Sequence, residues 1–386
     1  MTKREKYLPF AVPHIDEEDI KEVTKVLMSG WITSGPKKTE FEKKFSEYIG
    51  VRHAVAMNSC TAAMHTALIA KGIGKGDEVI TTPFTFCSTV NVILHTGATP
   101  VLVDIDPKTY CIDPSLIEEK ITKRTKAVIP VHYGGQPCNM DAVLDICKKH
   151  NLFCLEDAAH AVNAEYKGKK IGSFGDTAAF SFYATKNMTT SEGGMLSTND
   201  DEIAEKARIL SLHGLSRDAW KRYDKEGAWY YEVEYPGFKY NMTDIQASLG
   251  LSQLKKLEKL QKTRDMYVSI YTEAFKDLRE VVTPVEVADT KNSWHLYPIR
   301  INGEYADISR NEFIKQLAKL NIGTSVHFIP IHYHPYYKKA LPYKKGDFPV
   351  SEKVFETIVS LPLYPSMTVA DVEYVIEAVR YVVVGK

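Results

Sequence analysis

Apolar positions along the chain alternate between a helical spacing and short continuous runs. Residues 16–29 place Ile20, Val23, Val26 and Leu27 on one face behind Glu17 and Glu18, and residues 39–49 repeat the pattern, so both predict amphipathic helices. Between them SGWITSGP must be a loop, because Gly30, Gly35 and Pro36 break either period. Strands are expected at 53–57, 78–81, 99–104, 125–132, 151–157 and 194–197. Helices are expected at 62–70, from Asp113-Pro114 onward, at 139–150, at 200–212, and from a Thr243 cap to about residue 274. Strands alternating with helices of this length imply parallel crossovers and a sheet covered on both faces, an α/β fold. Beyond Leu278 the texture changes. Shorter strands at 294–301 and 323–328 lie between helices at 308–320, 350–358 and 369–382, a smaller α+β unit. Two domains are expected, residues 1–250 with an N-terminal arm and residues 251–386. Residues 215–234 are charged and aromatic without a period, and read as a mobile or partner-facing loop.

Composition narrows the partners. With 386 residues, 44% of them hydrophobic, the chain can bury a large core and a second smaller one. Lys+Arg and Asp+Glu both number 49, without blocks of one sign, which argues against nucleic acid or a membrane surface as partner. Six cysteines without a CxxC pair suit a reducing compartment. The N-terminus lacks a signal-peptide core and no run approaches a membrane span, so a cytoplasmic location is expected. His327, His332 and His334 are separated by bulky residues with no acid nearby, so no metal site is expected.

The candidate chemistry centres on FSFYATKNMTTSEGGM, residues 180–195. Its one lysine, Lys186, follows Ser181 in an apolar, aromatic setting and precedes Gly193 and Gly194. A lysine kept partly out of water loses its proton more readily and suits a Schiff base, with room beside it for a flat ring. The strand at 151–157 carries Glu156, Asp157 and, just beyond, His160 at its carboxyl end, where open α/β sheets bind ligands. Upstream, the small polar turn Asn58, Ser59, Cys60, Thr61 joins a strand to a helix and offers free amides to a phosphate. An acid, a lysine and a phosphate cup are what pyridoxal phosphate requires. Phe86 follows the strand at 78–81 and could stack on its ring. Gly134 and Gly135 permit a tight turn near a ligand.

Seven motifs in order, SGWITSGP, GDEVITTPFTF, VHYGG, EDAAHA, FSFYATKN, EGG and PGFKYNMTDIQAS, span nearly the whole chain. Together they resemble the DegT/DnrJ/EryC/StrS family of nucleotide-sugar aminotransferases. SGWIT, IGKGDEVIT, IPVHY and EDAAHA are echoed most closely in the members that make UDP-4-amino-4-deoxy-arabinose. The resemblance implies the aspartate aminotransferase-like fold type I, with a mostly parallel seven-stranded sheet in the large domain. It also implies pyridoxal 5'-phosphate as cofactor, cycling through pyridoxamine 5'-phosphate. By the same resemblance Asp157 faces the pyridine nitrogen, Lys186 holds the aldehyde, His160 lies by the phenolic oxygen, and Phe86 covers the ring. Ser59, Cys60, Thr61 and Ser181 hold the phosphate. Asn241 reaches the phosphate of the other subunit of a homodimer with shared sites, and Trp31, Thr33, His327 and His332 face the sugar substrate. The implied reaction moves an amino group from glutamate to a keto sugar, 4-keto by preference, on UDP. Rival readings are a dTDP- or GDP-linked 3- or 4-keto sugar, a dehydratase in which histidine replaces the lysine, and a regulatory relative that keeps the cofactor without catalysis.

Overall fold

The computed structural model describes residues 1–216 and 231–385. Trp220, Tyr223, Trp229 and Tyr230, expected in a partner-facing loop, lie outside the described residues. A seven-stranded sheet organises the larger part of the chain, in the order His53–Met57, Gly194–Thr198, Thr177–Ser181, Phe153–Asp157, Thr125–Val128, Glu78–Thr81, Thr99–Leu102. Six of these strands run in one direction. Gly194–Thr198 runs antiparallel to both of its neighbours, as a short return from the preceding strand permits. The strands are almost wholly buried, which is why they read as apolar runs without alternation.

Helix Pro36–Ile49 packs on one face through Phe41 and Phe45, whose rings meet Phe180 and Phe182 at centroid distances of 5.0–5.4 Å. Those contacts fix the end of the strand that leads to Lys186. The N-cap residue of that helix is Gly35, which has no side chain to offer. Its first amides are satisfied instead by Asp244, whose carboxylate accepts from Gly35, Lys37 and Lys38 at 2.8–3.0 Å. Cys60–Ala70 is buried nearly all round on the other face, among Val55, Met57, Leu155 and Leu196.

The division expected at residue 250 falls inside helix Asp244–Phe275, which has the expected Thr243 cap completed by Gln246. Its first turns pack in the large core through Ala247, Leu251 and Leu257, and its last turns, Tyr267 to Phe275, pack in a second core. That second core covers a three-stranded antiparallel sheet, Val281–Val282, Tyr297–Ile301 and Ile358–Leu361, with helices Arg310–Lys319 and Val369–Val384. The N-terminal arm belongs to this second core. Leu8 is buried there and pairs by backbone with Asn321 and Gly323 at 2.8 Å, and Arg4 pairs with Asp371.

Some local expectations change. Residues 323–328 form no strand beyond a single bridge from Ser325 to Ser360, and Ile358–Leu361 is the strand instead. The helix expected from Asp113-Pro114 is two short 3-10 turns, Pro114–Leu116 and Glu118–Lys120. Cys87–Thr96 is a helix in a stretch for which the sequence reading named no element, begun at Phe86 without a side-chain cap.

One buried cation ties the long helix to the second core. Arg264 lies in the interior, and its Nη1 donates to the carbonyl oxygens of Leu363 at 2.8 Å and Trp294 at 3.2 Å. Burial pushes its pKa down to about 10. Arg264→Met should lower stability to urea by about 2–3 kcal/mol, because it leaves two interior carbonyls without donors. A loss below about 0.5 kcal/mol, the size of an ordinary surface change, would show that the guanidinium does not hold the helix to the second core.

Candidate active site

Strand Phe153–Asp157 sends consecutive side chains to opposite faces, and the two acids at its end serve different purposes. Glu156 is wholly buried and accepts from the amides of Gly172, Phe174 and Gly175 at 2.8–3.2 Å, with His132 Nε2 at 3.1 Å. It fixes the chain that leads into strand Thr177–Ser181. Asp157 points the other way. Its Oδ2 accepts from Thr89 Oγ1 at 2.7 Å and its Oδ1 from the Ala159 amide at 3.2 Å. Thr85 supports Thr89 at 2.8 Å. Burial raises the pKa of Asp157, against the lowering effects of Thr89, Ala159 and nearby Lys186.

Lys186 stands in the turn after strand Thr177–Ser181 and is half-buried. Its amine has no hydrogen bond or ion pair among the described residues. Burial pushes its pKa down to about 8, while Cys60 and Asp157 push it up. Desolvation wins because neither neighbour is close enough to pair with it. Cys60 opens helix Cys60–Ala70, and Ser59 caps it by accepting from the Ala62 amide at 3.1 Å. The amides of Cys60 and Thr61 lie in the first turn and have no helical acceptor to reach.

Strand register brings this helix start to the lysine. Gly194 pairs with Met57 on one side and Ser181 on the other. A Cβ on Gly194 would lie 2.3–2.5 Å from backbone atoms of Ser59 and Cys60, so only glycine lets the strand approach the turn this closely. Ser59, Thr61 and Ser181 therefore converge on the sheet edge that also carries Asp157 and Lys186.

His160 is buried beside them. Its Nδ1 accepts from the Gly134 amide at 3.2 Å, and its ring meets Phe328 at 5.8 Å and His295 at 4.4 Å. Phe86 leans on Phe328 at 6.1 Å and is 58% exposed, so a ring face is free to be covered. His327 donates to or accepts from Ser360 Oγ at 2.9 Å, and burial with Lys186 nearby pushes its pKa down to about 4. Phe86, Phe328, Ile329, His334 and Tyr336 line a cleft of about 510 Å³ at this mouth.

The remaining candidates lie elsewhere. His332 is fully buried, paired through Nε2 with Glu352 at 2.9 Å and packed on Phe348, so it is not brought to the cleft. Trp31, Thr33 and Asn241 form a separate group. Asn241 Nδ2 donates to Ser34 Oγ at 2.7 Å, Trp31 Nε1 donates to the Ser34 carbonyl at 3.1 Å, and the Asp244 amide donates to the Thr33 carbonyl at 3.0 Å. Trp31, Ser34 and Asn241 line a cavity of about 770 Å³ whose walls include neither Lys186 nor Asp157. Thr85, Thr89, Asn187, Ser293 and His295 escaped the sequence reading. The first two stand in the PFTFCST segment and Asn187 follows the lysine directly, which was the available signal. Ser293 and His295 carried none beyond the start of an apolar run.

The donor set fits pyridoxal phosphate: a lysine amine with no partner, a buried carboxylate with one face committed to Thr89, first-turn amides at a cradle that a Cβ would fill, and an exposed aromatic ring. A lysine whose folded pKa lies below its unfolded value opposes folding at neutral pH, and that opposition is relieved as pH rises from about 8 toward the ordinary 10.5. In the cofactor-free chain, Lys186→Met should therefore be more stable than the parent by roughly 1–2 kcal/mol at pH 7, with the difference shrinking by pH 10. Urea melts at the two pH values check this, and a pH-independent difference would place the amine in water.

Comparison with known proteins agrees with this geometry. The model of the DegT/DnrJ/EryC1/StrS aminotransferase family matches residues 13–380. The chain is 56% identical over 384 residues to the spore coat polysaccharide biosynthesis protein SpsC of Bacillus subtilis (strain 168), covering 99% of each. Among solved structures, the sugar aminotransferase Spr1654 of Streptococcus pneumoniae in its PMP form is similar with a TM-score of 0.92 at 35% identity, covering 98% of this chain and 99% of that one. Helicobacter pylori PseC, an aminotransferase involved in the biosynthesis of pseudoaminic acid, is similar with a TM-score of 0.92 at 32% identity, covering 99% of this chain and 100% of that one. The Spr1654 protein is also solved in a PLP form. The chain belongs to the DegT/DnrJ/EryC1/StrS aminotransferase family, and it is a pyridoxal phosphate-dependent aminotransferase.

Proposed function

We propose that the enzyme moves the amino group of L-glutamate to the 4-keto carbon of a UDP-linked hexose or pentose, for a surface polysaccharide or glycoconjugate. The observation that carries this reading is the amine of Lys186, desolvated and near Asp157, with the aromatic cleft of Phe86, Phe328 and Tyr336 reaching the same site through the contact of Phe328 with His160. The names of SpsC and PseC, one tied to spore coat polysaccharide and the other to pseudoaminic acid, favour a sugar destined for a surface polymer. A dTDP- or GDP-linked sugar is the alternative that the same cleft could take.

When bound, pyridoxal phosphate supplies an electron sink and carries the amino group between the two substrates as pyridoxamine phosphate. We assign the chain's own residues as follows. Ser59, Thr61 and Ser181 hydroxyls with the Cys60 and Thr61 amides hold the phosphate at the helix N-terminus. The Asp157 carboxylate would face the ring nitrogen and hold its proton there, and Phe86 would cover the ring. Lys186 Nζ moves protons at the substrate carbon. With a pKa of about 8, roughly a tenth of the amine is free at pH 7, about three-hundredfold more than for an ordinary lysine. His160, with Nδ1 occupied by the Gly134 amide, offers its Nε2–H, and His327 faces the substrate side.

Lys186→Ala should abolish turnover, whereas Asp157→Asn should retain cofactor and lose activity by about a hundredfold or more. The holoenzyme should bleach its visible band with glutamate and recover it with UDP-linked 4-keto sugars, less well with dTDP-linked ones. Recovery with dTDP-linked sugars alone would reverse the nucleotide assignment. Bleaching by glutamate without recovery on any nucleotide sugar would remove the sugar from the reading.

The second proposal is a homodimer with shared sites, in which Asn241 serves the partner's cofactor and Trp31 and Thr33 stand on the substrate side of a shared site. Its support is the separation of these residues from Lys186 within one chain. Mixing inactive Lys186→Ala with inactive Asn241→Ala should restore activity toward one working site per mixed dimer, because both lesions then fall in the same site. No recovery after verified subunit exchange, or a monomer in light scattering at micromolar concentration, would end this reading.

A further inference from the structure

Residues 292–296 lie outside every motif that carries the family resemblance, yet they touch three of them. The Ser293 amide donates to the Gly135 carbonyl at 3.2 Å, and its hydroxyl donates to the His160 carbonyl at 2.7 Å. The Leu296 amide donates to the Gly134 carbonyl at 3.2 Å. Gly135 cannot be larger, since a Cβ there would lie 2.3 Å from Ser293 Oγ. Asn187, next to Lys186, donates from Nδ2 to the Ser293 carbonyl at 2.5 Å. The segment itself is anchored from the long helix by Arg264 on the Trp294 carbonyl.

These bonds fix proton positions on two histidines. Asn187 Nδ2 is committed to Ser293, so its Oδ1 is what meets His295 Nδ1 at 3.2 Å. His295 Nδ1 must donate, and its Nε2 is left as the acceptor. His160 is the opposite tautomer, because its Nδ1 accepts from Gly134 and its Nε2 carries the proton. The two rings face each other at 4.4 Å with a 39° tilt. One N–H···N bond favours a given ring orientation only about fivefold on its own. A second constraint is needed to hold His160 in a single state.

We propose that His295 is a positioning residue of the aminotransferase site: anchored by Asn187, it braces the His160 ring so that Nε2, and not Nδ1, presents the proton to the cofactor. The inference rests on the aminotransferase reading above but not on which sugar is aminated. Both rings are neutral, because burial pushes His160 and His295 well below the usual histidine range. The cations and imidazoles around His295, namely Lys186, His160, Arg264 and His327, all act in the same direction. A neutral brace adds no charge beside Lys186, which a lysine or arginine in this place would do.

The test uses His295→Ala, which removes the brace, and His295→Phe, which keeps a ring but lacks the Nδ1 proton. Histidine-selective nitrogen NMR of the cofactor-free chain reads the His160 tautomer, assigned with a His160→Gln control. The visible band of the holoenzyme, titrated with pH, reads the cofactor's surroundings. The parent should show one Nε2–H tautomer at His160. His295→Ala should show a mixture, a shift of at least about half a pH unit in the band's midpoint, and a kcat about tenfold lower with KM for glutamate changed less than about threefold. His295→Phe should return His160 toward a single tautomer and recover part of kcat. A single Nε2–H tautomer and an unmoved midpoint in His295→Ala would overturn the proposal, whatever happens to rate. Loss of the fold in both variants would also overturn it, by making His295 a structural residue only. Failure to bleach with glutamate in the parent would instead count against the aminotransferase reading, which separates the two.

Discussion

Taking a carboxylate and an ammonium out of water at one sheet edge costs several kcal/mol per ion unless each finds partners. The active site is built around an unequal settlement of that cost. Asp157 receives a hydroxyl from Thr89 and an amide from Ala159. Lys186 receives nothing comparable among the described residues, and its pKa falls to about 8. The imbalance is what makes the lysine a usable base near neutral pH. Were Lys186 paired as closely as Lys256 is with Asp16 and Asp19, its proton would be held and the site would bind charge without moving it.

Such an arrangement requires rigid surroundings, since a mobile lysine would find water. The rigidity comes from layers that the chemistry never touches. Glu156 organises residues 172–175 on the far side of the strand, and the four phenylalanines at 41, 45, 180 and 182 lock the end of Thr177–Ser181. Gly194 lets the turn at Ser59 and Cys60 come within contact of that strand end. The C-terminal part of the chain then closes the site, through His295 and Phe328 against His160 and His327 against Phe328, so residues far apart in sequence meet at one centre.

Much of this was legible in the chain. Most strand positions of the large sheet followed from apolar runs bounded by turn residues, and the Thr243 cap was readable from the sequence Thr-Asp-Ile-Gln. Lys186, Asp157, Ser59, Thr61, Ser181 and His160 stood out because their residue types are unusual in buried strand ends. What the sequence hid were contacts made across large separations. The 293–296 stretch looks like the start of a buried strand, and only its approach to Gly135 and Asn187 gives Ser293 and His295 a polar task. His332 failed in the opposite direction. It sits in a histidine-rich run that suggests a surface, yet Glu352 draws it into the interior. The strand expected at 323–328 lost its place to Ile358–Leu361, which pairs with Tyr297–Ile301 over four residues where Ser325 makes a single bridge.

The position of Asn241 sets the last constraint. It pairs by backbone with Met57, at the end of the strand that precedes the turn at Ser59 and Cys60, while the Asn58 amide donates to the Tyr240 carbonyl at 2.7 Å. The stretch 239–241 thus runs along the outer edge of the sheet, with Gly194–Thr198 and Thr177–Ser181 on the inner side. A short asparagine side chain spans only a few ångströms, and here it is turned to Ser34 across the 770 Å³ cavity wall. In the shared-site reading proposed above, the phosphate that this side chain serves then has to come from outside its own chain's sheet. Two copies related by a two-fold axis meet this requirement in both directions at once, because a contact made by one copy is returned by the other.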